Sequence, residues 1–277
     1  MTCHNRRALT TRCLESLRRQ AAGAIIDVYL VDDGCTDGTA DAAKDVWPGI
    51  RIVEGNGQLF WNGGMRLGWE VAAASGPYDY FLWLNDDVVL DPDAIARLLS
   101  DAARLADAGG AVIVAGSTRQ PGTDEITYGG QRRVTASRPL RFELLHPGPA
   151  PIPADTFSGN VVLVSTAAFA RLGSLSPDFV HIFGDLDYGL RARAADIPVF
   201  AGSGFHGTCE GADVAGSSLD SRLSRRRRLA LRLREERKLH ARDWRVFVRR
   251  HSGLGSLRAL YLLAPYLRIL RTASVVG

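Results

Sequence analysis

The chain has 277 residues, 46% hydrophobic and 23% charged, an ordinary globular composition long enough for one large domain or one domain plus an appendage. Its net charge of +4 hides a split: residues 1–221 carry 18 Lys+Arg against 27 Asp+Glu, whereas residues 222–277 carry 16 against only Glu235, Glu236 and Asp243. An acidic body with a basic tail argues against a nucleic-acid-binding domain, and with no apolar run of 18 residues no spanning helix is expected.

Met1-Thr2-Cys3-His4-Asn5-Arg6-Arg7 turns polar too soon for a signal peptide. Thr2–Arg6 instead reads as the end of a strand whose body is missing, and further apolar residues are expected upstream. Leu9, Leu14 and Leu17 predict a first helix. Ile25–Val31 predicts a strand that ends on Asp32-Asp33-Gly34-Cys35-Thr36-Asp37-Gly38-Thr39, with a helix over 40–47. Strand, Gly-rich turn and helix make the βα unit of a parallel sheet, which binds ligands at the carboxyl ends of its strands. A short strand over 50–54 leads to a loop with four glycines, Gly55–Gly64, and a helix from about Met65 to Ala74. The apolar strand 79–84 stops on Asn85-Asp86-Asp87, and a helix over 92–107 opens with Pro92.

Ala111–Ala115 is another strand, and residues 116–156, rich in Gly, Pro, Arg and Thr, predict an irregular or hairpin excursion. Phe157-Ser158-Gly159-Asn160 precedes a strand over 161–164 and a helix over 166–172. Gly184-Asp185-Leu186-Asp187-Tyr188 reads as a helix start, and Val199–Ala201 as the last strand, with His206 after it. Residues 218–250 form a basic helical stretch, and 254–272 a Leu-rich one broken by Pro265. The division expected is an α/β domain over 1–215 and a basic helical tail over 216–277. The cysteines Cys3, Cys13, Cys35 and Cys209 lack CxxC spacing and read as reduced cytosolic thiols.

Asn85-Asp86-Asp87 could cap a helix, but a cap needs one such residue and here there are three. Adjacent carboxylates at the rim of a core are costly unless a cation meets them, and a divalent metal carrying a diphosphate would do so. Asp87 is then the metal ligand, with Asp86 or Asn85 on a ribose. Asp32-Asp33-Gly34 taken alone is more simply a turn, but a carboxylate there can accept the imide N–H of a uracil or thymine ring, Asp33 ahead of Asp32. Asp185 and Asp187 either favour a helix dipole or supply a general base, with Phe183 and Tyr188 raising the pKa of a shielded carboxylate. Asp185, nearest the Gly184 turn, is the better base. His206 becomes a third metal or phosphate contact only if the fold brings it to Asp87; His4, His181 and Trp61 carry weaker signals.

Thr2-Cys3-His4-Asn5-Arg6, Val31–Thr39, Asn85-Asp86-Asp87 and Gly184-Asp185-Leu186-Asp187 together resemble family 2 glycosyltransferases of the GT-A fold, over roughly residues 1–210. Gly57–Met65 and Phe183–Arg191 further resemble the rhamnosyltransferase-like branch, which builds bacterial surface polysaccharides on lipid carriers. The resemblance implies an α/β, Rossmann-like fold with a mixed, mainly parallel sheet flanked by helices, and an inverting single displacement from a UDP- or dTDP-sugar, dTDP-rhamnose among them. The acceptor implied is a hydroxyl of a glycan or polyprenyl-linked glycan.

It implies Mn²⁺ or Mg²⁺ on Asp87 with His206, and Asp185 as base. It implies nucleotide and substrate contacts from Thr2, Asn5, Arg6, Asp32, Asp33, Gly34, Gly57, Trp61, Asn62, Gly63, Asn85, Asp86 and Asp187. Two positions depart from the family pattern: Asn85 stands where many members have Asp, and Gly184 stands before Asp185 where Glu is usual. No nucleic acid is expected. A homodimer, a cytoplasmic location and attachment of 222–277 to an anionic membrane surface are further expectations. The rivals are a sugar-nucleotide nucleotidyltransferase and a non-catalytic sugar-nucleotide-binding protein.

Overall fold

The chain enters in a two-residue strand, β1 (Thr2–Cys3), and turns at once into α1 (Arg7–Arg18). The computed structural model describes residues 1–20, 23–135, 138–236, 240–253 and 258–271. β2 (Tyr29–Asp32), α2 (Thr39–Val46) and β3 (Arg51–Glu54) complete a parallel sheet in the order β1-β2-β3. There follow α3 (Phe60–Ser75), β4 (Tyr80–Leu84), β5 (Val89–Leu90), α4 (Ala94–Leu105) and β6 (Ile113–Arg119). The excursion expected over 116–156 is built of hairpins: β7 (Ile126–Tyr128), β8 (Gly130–Thr135), β9 (Arg138–Leu144), β10 (Ile152–Pro153) and β11 (Thr156–Phe157). β12 (Val161–Ser165), α5 (Thr166–Leu172), α6 (Gly184–Ala194) and β13 (Val199–Thr208) close the body. α7 (Arg225–Glu236), α8 (His240–His251) and α9 (Arg258–Arg271) follow.

The larger sheet runs β10-β13-β6-β12-β4, with β5 on β13 and β7 on β6. It is mixed, as expected, but most of its pairings are antiparallel, which corrects the expected parallel majority. β13 runs parallel to β6, but β12 is antiparallel to both β4 and β6. The reason lies in the connection. A helical crossover returns a strand parallel, whereas the hairpins between β6 and β12 bring the chain back in the opposite sense. A second small sheet, β11-β8-β9, carries those hairpins.

Both faces of the large sheet are buried, as its composition requires. Val162 and Val164 of β12 point into one core with Met65 and Trp69 of α3, Ala168 of α5 and Tyr188 of α6. Val161 and Leu163 point into the other, with Leu14 and Leu17 of α1 and Ile95 and Leu98 of α4. The first core is aromatic at its centre: the Trp69 ring lies 5.0 Å from Trp83 and 5.3 Å from Tyr188.

Two boundaries differ from expectation. α3 begins at Phe60, so half of the expected Gly55–Gly64 loop is its first turn. The last strand runs on to Thr208 through register shifts on either side of Phe205, which glycines 202, 204 and 207 hide in the sequence.

The basic tail is held by its acids and apolar residues as well as its arginines. Asp243 of α8 is fully buried and accepts from the amides of Val180, His181 and Ile182 at 2.9–3.2 Å. Phe247 stacks on Phe183 at 4.8 Å, and Arg250 and His251 meet Asp187 at 2.9 and 2.8 Å. α8 therefore packs on the body beside α6. Residues 237–239, 254–257 and 272–277 of the expected tail lie outside the described residues. Among the described residues no helix is long and apolar enough to cross a membrane.

Asp187 is fully buried, and breaking a buried charge cluster costs about 3 kcal/mol or more. Burial favours its neutral form, but His251, Arg250 and Arg191 outweigh that and hold the carboxyl below its ordinary value. Its contribution is thus complete above the unfolded value of about 3.9 and fades as pH falls through the lower folded value. Asp187→Asn should lower the melting temperature at pH 7, and the gap from the parent protein should close as the melts are repeated below about pH 4.

Candidate active site

Asn85, Asp86 and Asp87 follow β4 directly, and the Asn85 amide still donates to the Asn160 carbonyl at 2.9 Å. Asp86 is 4% exposed. Its burial pushes the carboxyl up to about 6, with Arg6 opposing and Asp87 adding to the rise. Arg6, between β1 and α1, spans both acids: Nη1 lies 3.1 Å from Asp86 and Nη2 2.7 Å from Asp87. The Thr10 hydroxyl adds a contact to Asp86 at 3.4 Å. Asp87 keeps one side open, and its second oxygen meets the Cys209 thiol at 3.5 Å. Burial pushes that thiol up to about 12, so it stays a neutral donor.

Asn85 has a role that its position in the sequence did not reveal. Its Oδ1 accepts from the Trp61 indole N–H at 2.7 Å. The far edge of that indole covers Gly159, where a Cβ would sit 2.5 Å from the ring and 3.2 Å from Asp185 Cβ. The site therefore admits only glycine at 159. The Gly159 amide donates to Asp185 Oδ2 and the Leu186 amide to Oδ1, each at 2.8 Å. Burial raises the Asp185 carboxyl above its ordinary value, and these amides only partly offset the rise. A chain of contacts thus joins the acid triplet to Asp185 through Asn85, Trp61 and Gly159.

The other wall is the turn after β2. Asp33 is buried, and its carboxylate accepts from the amides of Gly57, Leu59 and Phe60 at 2.8–3.1 Å. It holds the glycine loop and the start of α3, which is why that helix begins early. Asp32 accepts from the Cys35 amide at 2.7 Å and remains part exposed. Gly34 packs on Gly57, and Gly63 lies in the first turn of α3 against Leu59. Asn5 accepts from the Thr36 amide at 2.7 Å, and His4 Nδ1 meets the Asp33 carbonyl at 2.6 Å. Thr2 packs against Gly64 of α3. Asn5, Phe60 and Phe183 all have left-handed backbones, with φ of 52°, 53° and 69°. Each costs roughly 1 kcal/mol or more, sustained by surrounding contacts.

Three expected contacts lie elsewhere. His206 is fully buried within β13, where Arg97, Asp101 and Asp93 are the charges that act on it. Burial, aided by Arg97, lowers its pKa to about 4, and the side chain that meets Asp87 from this segment is Cys209, three residues on. Asp187 points away from Asp185, into the arginine cluster under α8. Asn62 is fully buried and donates to the carbonyls of Ser176 and Phe179 at 3.0 and 2.8 Å. Its Oδ1 lies against Gly184, where a Cβ would come within 1.7 Å, so the Glu usual before Asp185 is excluded here. Sequence reading missed Thr10, Gly159, Asn160 and Cys209. Only Gly159-Asn160, at the end of a polar turn before an apolar strand, carried a visible signal.

For a divalent ion, the donors fit at Asp87 and Asp86. Mg²⁺ commonly takes one or two carboxylates and completes its shell with substrate phosphates and water. Asp87 is part exposed, and Arg6 already marks the spot as one that binds the opposite charge of those carboxylates. Among the described residues the three-donor cluster is a different one, Cys3 with Asp32 and Cys35.

Residues 1–167 match the family model described as glycosyl transferase family 2. Two N-acetylglucosaminyl-diphospho-decaprenol L-rhamnosyltransferases of Mycobacterium tuberculosis strains are each 29% identical over 196 residues, covering 61% of this chain and 62% of theirs. The chain thus spans less than two thirds of the length of these relatives. The crystal structure of S. aureus TarS 1-349 superposes with a TM-score of 0.53 at 14% identity, over 97% of this chain and 69% of that one. That likeness is one of fold, a GT-A-like mixed α/β architecture.

Arg6 is the charge that opposes the rise at Asp86. Arg6→Ala should therefore move the Asp86 carboxyl above about 6 in a ¹³C NMR titration; an unmoved midpoint would show that Arg6 does not screen it.

Proposed function

The chain belongs to glycosyl transferase family 2, and from that premise we propose that it moves a sugar from a UDP- or dTDP-linked donor to a hydroxyl of a glycan or lipid-linked glycan, with inversion. The observation that carries the reading is the Asp185 carboxylate. It is held by two amides beside Trp61, its pKa is raised by burial, and contacts through Asn85 link it to the acid pair that Arg6 spans. A base works best with a pKa near the working pH.

In this reading Asp185 takes the proton of the acceptor hydroxyl as that oxygen attacks the anomeric carbon. The bond from that carbon to the diphosphate oxygen breaks on the opposite face, and the nucleoside diphosphate leaves with the electron pair. Asp185 is thereby protonated and returns its proton to solvent. Arg6 supplies positive charge at the diphosphate end of the cleft. Mg²⁺ or Mn²⁺ held by Asp87 and Asp86 would neutralise leaving-group charge. The nucleobase contact passes from Asp33, which is committed to the loop, to the more open Asp32.

The mycobacterial relatives are named for transfer of L-rhamnose to a decaprenyl-diphosphate-linked sugar. A rhamnosyl donor and a polyprenyl-linked acceptor are the finer form of the proposal. The described part of α9 favours a membrane-side acceptor: Leu263, Leu267 and Leu270 are exposed at helical spacing, beside the arginine-rich α7.

Asp185→Asn should cut transfer by roughly 10²- to 10⁴-fold while the melting temperature holds, and near-normal transfer by a folded variant would rule Asp185 out as base. In the parent enzyme the rate should rise with pH through the raised Asp185 pKa, and that limb should vanish in the variant. Chelation with EDTA should stop transfer and added Mn²⁺ or Mg²⁺ restore it; full activity in EDTA would remove the ion from the proposal. Replacing Leu263, Leu267 and Leu270 by Ser should weaken flotation with anionic liposomes; equal flotation would remove α9 as the contact.

A further inference from the structure

Two thiols and a carboxylate meet beside the candidate site, and the proposed reaction uses neither thiol. Cys3 ends β1 and Asp32 ends β2, and the two residues are partners across the parallel strands. Gly34, with a left-handed φ of 75°, turns the chain just before Cys35. The Cys3 and Cys35 sulfurs lie 3.7 Å apart, and with an Asp32 oxygen they form a group whose ligand atoms all lie within 4.8 Å of one another. Cys3 is buried, whereas Asp32 and Cys35 are part exposed, so the group can be reached from solvent.

The donors are already aimed at one another. A thiol hydrogen bond joins the two sulfurs, and another joins Cys35 to the Asp32 carboxylate. The Cys35 amide donates to Asp32 Oδ1 at 2.7 Å and fixes the direction of that carboxylate. The Asn5 amide donates to the Cys35 sulfur at 3.2 Å, a contact that favours the thiolate.

We propose that Cys3, Cys35 and Asp32 form a second metal site, for Zn²⁺, distinct from the all-oxygen pair Asp86 and Asp87. Distance decides between an ion and a disulfide. Two sulfurs bound to one tetrahedral zinc at about 2.3 Å each stand about 3.8 Å apart, close to the spacing found. A disulfide would need the sulfurs drawn together by roughly 1.6 Å. Donor type decides which ion. Thiolates select soft or borderline metals, whereas carboxylates alone suit Mg²⁺ and Mn²⁺. Three protein donors with a fourth position open is the arrangement of a zinc site that keeps an exchangeable ligand. Burial raises both thiols above the ordinary cysteine value, so each carries its proton at neutral pH. Binding replaces the two S–H bonds by metal–sulfur bonds and releases two protons to solvent, with no change of oxidation state. On the reading that Asp32 meets the nucleobase, ion and nucleotide compete for one carboxylate, and Zn²⁺ is an inhibitor.

The test titrates Co²⁺, a spectroscopic substitute for Zn²⁺, into the 277-residue chain kept reduced with a phosphine and saturated with Mg²⁺. One equivalent should bind with the near-ultraviolet band of a cobalt–thiolate bond, and added Zn²⁺ should bleach it. Cys35→Ser should remove most of the band while the melting temperature holds, and Asp32→Asn should keep the band but weaken binding by about tenfold or more. Absence of the band would overturn the site. An undiminished band in Cys35→Ser would put the ion at another thiol, such as Cys209 beside Asp87, and overturn it equally. A second readout needs no cobalt: one equivalent of Zn²⁺ should slow alkylation of Cys35 by iodoacetamide by about tenfold or more, and unchanged labelling would overturn the site. UDP should weaken Co²⁺ binding to the parent chain. Unchanged affinity would overturn the competition alone, so its failure is distinguishable from failure of the metal site.

Discussion

A guanidinium set between two carboxylates ties the carboxyl end of β1 to the carboxyl end of β4. Asp86 is almost fully buried, and a buried carboxylate without a counter-charge would be neutral or would not be buried at all. Arg6 supplies that charge from the turn into α1, and Thr10 on the same helix adds a hydroxyl. The position of α1, the entry of β1 and the exit of β4 therefore depend on one another. The same interaction leaves Asp87 at the rim, part exposed and facing the cleft.

From that rim the site is built outward by neutral contacts. Asn85 receives the Trp61 indole, Trp61 covers Gly159, and the Gly159 amide holds Asp185. An Asp at position 85 would set a third charge beside Asp86 and Asp87; the amide accepts the same hydrogen bond without it. The acid usual before Asp185 is absent for a steric reason, because Asn62 fills the space where its side chain would begin. Both departures from the family pattern thus follow from packing around α3.

The second carboxylate of the pair has been turned to another task. Asp187 lies on the buried side of α6 and gathers Arg191, Arg250 and His251, while Asp243 caps the amides of residues 180–182. The loop that leads into Asp185 is thereby clamped between α3, through Asn62, and α8, through Asp243. This gives the C-terminal helices a part in shaping the site, and part of the positive charge of the tail is spent on the body rather than facing outward.

The chain's local patterns were enough for the βα units and for the three acid motifs. Apolar runs that stop on Asp or Asn mark a strand end wherever the chain later folds. The helix over 166–172 and the strand ending at residue 84 were readable because their signals lie within a few neighbouring residues. Which acid does what was not readable. Asp185 and Asp187 are two residues apart on a helix, and only the packing of α8 shows that one faces the cleft and the other the arginines. Asp32 and Asp33 are adjacent, and only the return of Gly57, Leu59 and Phe60 shows which is committed to the loop. His206 lies on β13 and Cys209 just past its end, and the register of β13 against β5 decides which of them reaches Asp87. Local propensity acts through neighbours along the chain. The role of a charged side chain is set by partners tens of residues away, and burial decides whether that charge can exist at all.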